Sequence, residues 1–137
     1  MKTLRWLGAA ALMYTVSAFG QQWVGTTQVD STGKVSLDKD RFERRGDAVT
    51  AYIQILFDKP VRMPFMEKVY DRSEQLYFFQ CKDKLMVLNS YVLKNGDEVV
   101  HTQSSMTLDG KPLSQAVPEK GLEAAAFKLA CSYKPKP

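Results

Sequence analysis

The chain has 137 residues and a formal net charge of +4. Lys2 and Arg5 account for half of that excess. The remainder carries +2 and is too nearly balanced for an electrostatic footprint on nucleic acid. Its length is that of a single domain, large enough for one core but small enough for a covalent staple to matter.

Lys2 and Arg5 form a short positive segment, Trp6 to Val16 is apolar, and Ser17-Ala18-Phe19-Gly20 is small and weakly polar. That order predicts a secretory signal peptide over residues 1–20, cleaved before Gln21. A membrane-spanning helix needs about 20 apolar residues, and this run is too short. No cysteine follows the expected cleavage site to take a lipid. The expectation is a soluble periplasmic or secreted domain over residues 21–133, with no stable membrane anchor and a disordered tail over 134–137.

Three strands come first: Trp23 to Val29, Lys34 to Leu37, and a longer run from Ala48 to Phe57. In the third, Val49, Ala51, Ile53, Ile55 and Phe57 alternate with mostly polar residues, the period of a half-buried strand. Asp30-Ser31-Thr32-Gly33 and Gly46-Asp47 read as turns. Lys59 to Ser73, with Pro60 and Pro64, reads as a long connection or an edge.

Leu76 to Cys81, Leu85 to Lys94 and Glu98 to Ser104 follow as strands, the last two joined at Asn95-Gly96, a strong hairpin signal. A two-residue turn there sets Lys94 against Asp97, Val92 against Val99, Tyr91 against Val100 and Ser90 against His101. Both faces of these strands are apolar, so the sheet is expected to need two covers.

One cover is a helix opened by Pro118-Glu119-Lys120 and running toward Cys131, with proline at its first position and an acid in its first turn. Leu122, Ala125, Ala126 and Leu129 form one stripe; Ala124, Phe127 and Cys131 form a second, nearly opposite. Two arrangements are open. Either the helix persists to Cys131 and leaves the first stripe without a partner in one protomer, or its last turn unwinds before Cys131.

Cys81 and Cys131 are the only cysteines. In an exported chain with no C-x-x-C, an even count predicts a disulfide. The loop from 81 to 131 would gain about 4 kcal/mol in a chain-entropy model.

The inventory for catalysis is thin. His101 is the single histidine and falls in a predicted strand, and no hydrolase, zinc-protease or phosphate-loop motif occurs. The acids Asp38/Asp40 and Asp71/Glu74 have basic neighbours and read as solvated turn charges. No enzyme activity, metal or cofactor is expected. Candidate partner-binding residues are Arg41, Phe42, Arg44 and Arg45, where guanidinium groups bracket an aromatic ring, with Lys82 and Lys84 just after Cys81.

Trp23, the Ser73 to Cys81 strand entering its cysteine, the Tyr91 to Val100 hairpin, Lys111-Pro112-Leu113 before a helix, and Cys131 at its end occur in an order that resembles the surface-adhesin protein E-like domain of Gram-negative bacteria. The resemblance spans the whole exported part of the chain. It implies an α+β fold, an antiparallel β-sheet of about six strands with a C-terminal helix tethered to one face by a disulfide. It also implies dimerisation and non-enzymatic adhesion to host matrix or serum proteins. The functional expectation is an exported binding module, a homodimer, for a host or periplasmic protein. The alternative is a periplasmic accessory protein, an inhibitor or stabilising subunit, with no host ligand.

Overall fold

Alternation in the run from Ala48 is realised as the longest strand of a computed structural model, which describes residues 22–64, 66–104 and 114–135. The expected signal peptide, the Lys111-Pro112-Leu113 segment and the last two residues lie outside them. In chain order the elements are β1 (Trp23–Val29), β2 (Gly33–Asp38), a 3-10 turn (Lys39–Arg41), β3 (Glu43–Arg45), β4 (Ala48–Arg62), β5 (Val69–Gln80), β6 (Leu85–Asn95), β7 (Glu98–Ser104), β8 (Ser114–Ala116) and helix α1 (Leu122–Ser132).

All eight strands join one antiparallel sheet, whose main path runs β1-β2-β4-β5-β6-β7. The fold is the expected sheet with one disulfide-tied C-terminal helix. The two strands beyond the expected six are short: β3 pairs with the start of β4, and β8 with the start of β6.

Register explains the core. Val35 and Leu37 of β2 lie across from Ile55 and Ile53 of β4, and Ala51 and Val49 of β4 lie across from Tyr77 and Phe79 of β5. Phe79 in turn faces Met86 of β6. All nine side chains are buried on one face, where Ala126 and Ala130 of α1 close over them. The small alanines let the helix lie close to the sheet, mainly over β2. Gly25 completes the fit. It sits at the register shift of β1 with φ +68°, and a Cβ there would stand 2.5 Å from Leu129 Cδ1.

The helix departs from expectation at its start. Pro118 is not its first residue: Gly121, at φ +98°, precedes Leu122, and Glu123 supplies the acid of the first turn. At the other end α1 continues through Cys131, and the Tyr133 N–H donates to the Leu129 carbonyl. Persistence does not leave the first stripe bare. Ala126 is fully buried and Leu129 packs against β1, while Phe127 makes an edge-on contact with Phe79, 5.6 Å between ring centres. The helix straddles both stripes because alanine is small enough to sit at the bottom of the contact. The first stripe is therefore packed within the protomer.

Two further expectations are corrected. The Lys59 to Ser73 connection is shorter than expected. β4 runs to Arg62 and pairs there with Val69 and Tyr70, so only residues 63–68 connect the strands. Pro60 is tolerated because it falls in the irregular stretch between Leu56 and Val61, where the ladder is broken and no N–H is required.

The β6–β7 turn is also displaced by one residue. Gly96 and Asp97 are its central pair, Asn95 opposes Glu98, and a further irregularity sets Leu93 against His101. Gly96 has φ +61° and Asp97 does not share the positive sign, the pattern of a glycine-first two-residue turn. Asp71 Oδ1 holds the displaced turn by accepting from the Gly96 N–H at 3.0 Å. His101 consequently shares a face with Leu93 and Tyr91, and Val92 turns to the other.

Candidate functional site

Antiparallel pairing brings two turns together. Ala48 opposes Gln80, so the β3–β4 turn at Gly46-Asp47 lies beside the β5–β6 turn at residues 81–84. Asp47 joins them: its carbonyl accepts from the Cys81 N–H at 3.0 Å, and its two carboxylate oxygens accept from the Lys82 N–H at 2.8 and 2.9 Å. The C-terminus of α1 reaches the same place through the Cys81–Cys131 disulfide, with the two Cα atoms 5.8 Å apart.

Three of the six predicted partner-binding residues, Arg44, Lys82 and Lys84, meet here and three do not. Arg44 donates from its guanidinium to the Cys131 carbonyl, a charged cap on the negative end of the helix. Arg45, across from Ala48, is turned to the face opposite the helix, where it is exposed and pairs with Glu43 at 2.6 Å. Lys82 and Lys84 are exposed on the turn beside the disulfide.

Phe42 is spent on packing. Its ring meets Tyr133 edge-on at 4.9 Å and covers the margin of the core. Arg41 points elsewhere. Its Nε donates to Asp38 Oδ2 at 2.7 Å, and its guanidinium lies 3.7 Å from the centre of the Tyr52 ring, on the face opposite the helix. Alternation along an extended chain thus splits Arg41-Phe42-Glu43-Arg44-Arg45 between both faces of the sheet.

The convergence frames a groove of about 540 Å³ that the sequence did not reveal. Val117, Pro118, Ala124 and Phe127 form its apolar walls, and Lys84, Lys128 and Glu119 are the charged groups lining it. The lead-in to α1 and the helix supply its walls, and the lead-in is fastened to the β5–β6 turn by the Val117 N–H donating to the Lys84 carbonyl at 3.0 Å. Lys84 holds φ +53°, a left-handed conformation that costs a non-glycine residue about 1 kcal/mol. Lys128 was visible in the sequence only as the polar position between two apolar stripes. Pro118, which the sequence suggests as a helix start, instead lines the groove ahead of the helix.

His101 lies on the helix-bearing face, away from this end. Its ring centre is 6.1 Å from that of Tyr91, and its Nε2 is 3.2 Å from Gln103 Oε1, which also accepts from the Tyr91 hydroxyl at 2.9 Å. Among the described residues no three His, Cys, Asp or Glu side chains gather as a metal site, and no helix is long and apolar enough to cross a membrane. Burial, reinforced by nearby Glu123, drives the Tyr77 phenol far above its ordinary pKa. Burial and then Tyr91 raise that of Tyr70.

No family model matches the chain, and no curated protein matches it in sequence. Among solved structures it is similar to protein E from non-typeable Haemophilus influenzae, with a TM-score of 0.49 and 12% identity, over 82% of this chain and 86% of that one.

Proposed function

We propose that the chain is a non-enzymatic, exported binding module that engages a protein partner through its basic end. The observation that carries this reading is the groove. Apolar walls are edged by Lys84 and Lys128, with Lys82 exposed on the same turn as Lys84. Aromatic and aliphatic floors supply most binding energy, and surrounding charges select the partner and speed encounter. A disulfide and three Asp47 hydrogen bonds hold the turns that carry these groups, so little ordering cost attends binding. The disulfide also suits the oxidising compartment to which the N-terminal segment would direct the chain.

The reading is tested by immobilising the chain, as exported and processed by the cell, against matrix and periplasmic extracts. A Lys82→Glu/Lys84→Glu/Lys128→Glu variant serves as the comparison. All three side chains are exposed, so the fold should survive. A partner retained by the unaltered chain and lost by the variant is the expected result. Equal capture by both, or capture by neither, would remove the basic end as a binding surface.

A further inference from the structure

The groove has a second property, its position against an open strand edge. β8 pairs through Leu85, Met86 and Val87 of β6, and its outer edge meets no other strand among the described residues. All three β8 residues, Ser114, Gln115 and Ala116, are exposed, and the chain passes directly from them into the groove wall at Val117 and Pro118. An unpaired edge offers backbone N–H and C=O groups to any extended segment laid beside it. The wall that follows offers an apolar recess for one side chain of such a segment.

We propose that the β8 edge and the adjoining groove receive an extended, acidic segment of a partner protein, anchored by one bulky apolar side chain. This rests on reading the chain as a binding module and names the chemistry of its partner. Main-chain bonds to β8 align the segment, and the anchor displaces water from between Ala124, Phe127 and Pro118. Carboxylates flanking the anchor meet Lys84 and Lys128. Arg44, bonded to the Cys131 carbonyl, offsets the negative helix terminus that would otherwise repel them. Glu119 on the rim disfavours a continuous acidic run and restricts carboxylates to the lysine side.

The probe is a pentapeptide amide of sequence Asp-Glu-Phe-Glu-Asp carrying fluorescein on its N-terminal amine. It is compared by anisotropy with the same peptide carrying serine for phenylalanine. The expected result is binding at least about tenfold tighter for the phenylalanine peptide, and a similar loss in Ala124→Trp, which fills the recess without altering charge. Amide shifts in a titration should then cluster at Ser114 to Val117. Ala124 is half-exposed, and circular dichroism of the variant verifies its fold.

Equal affinity for both peptides overturns the anchored-segment proposal while leaving a charge-based binding module standing. Amide shifts that avoid β8 overturn the edge pairing. Dodecanoate shifting the groove amides where the peptide does not would assign the recess to a fatty acid and end the proposal. Charge-reversal loss of a captured partner tests the broader reading separately, so either can fail alone.

Discussion

The two faces of the sheet handle apolar surface in different ways. On one, α1 covers a continuous apolar core from Val35 to Met86 and a disulfide holds it there. On the other, by register, Tyr52, Leu56, Leu76, Phe78, Val87 and Val92 share the surface with Gln54, Glu74, Arg72 and Lys94, and no helix lies over them among the described residues. The expectation of two covers is met by one helix and by polar side chains laid flat. Arg41 spreads over Tyr52 while its charge is held by Asp38, which is only 1% exposed, and Lys94 pairs with Glu74. Long charged side chains cover apolar area with their stems and keep their heads near water or a partner. The lesson is that an apolar sheet face does not require a second layer when its neighbours can snorkel across it.

Breaking the helix-bearing face should cost most. Phe79→Ala removes the ring that meets Tyr77, Phe127 and the β6 strand, and should lower unfolding free energy by about 3–5 kcal/mol in urea titration. Replacing Cys81 and Cys131 together by serine should cost about 2–4 kcal/mol and loosen α1. Hydrogen exchange should then rise first in Leu122–Ser132; uniform exchange across the sheet would show that the helix is held without the staple.

The opposite face should respond less. Asp38→Ala removes the acceptor of Arg41 Nε and of the Asp40 N–H, for about 1.5–3 kcal/mol. A pH series sharpens the contrast from the buried side. Tyr77 has its pKa raised from 10.0 by burial, so the unfolded chain ionises first. Stability is intact below about pH 10 and falls as pH rises above it, because the unfolded state alone then releases the proton. Tyr77→Phe should flatten that decline in thermal melts. Arg45→Ala should be the smallest effect, within about 0.5 kcal/mol, since its side chain is 85% exposed.

Much of the fold was legible because its signals are local. Period-two alternation marked β4, turn residues bounded β1 and β2, and alanine-rich spacing placed a helix running toward Cys131. The candidate site was less legible. Lys82 and Lys84 stood out as a charged turn after a cysteine, but Lys128, Val117 and Ala124 meet them only when the helix folds back on the sheet. Arg41 and Phe42 look like Arg44 and Arg45 in a string of basic residues. Arg41 and Phe42 are set apart by having Asp38, Tyr52 or Tyr133 within reach.

By itself the sequence determined where chain segments extend, turn or coil, since these follow from nearest-neighbour sterics and hydrophobic period. It also determined that two cysteines had only each other. Tertiary structure decided the pairing register, because the irregularities after Leu56, Leu76 and Leu93 each shift every later pair. It also decided that both helix stripes are covered, because only the docked helix shows Ala126 and Ala130 at the bottom of the contact with a stripe packed on either side. The groove belongs to this second class: Lys84 precedes the other lining residues, Val117 to Ser132, by 33 to 48 positions, and only packing makes them neighbours.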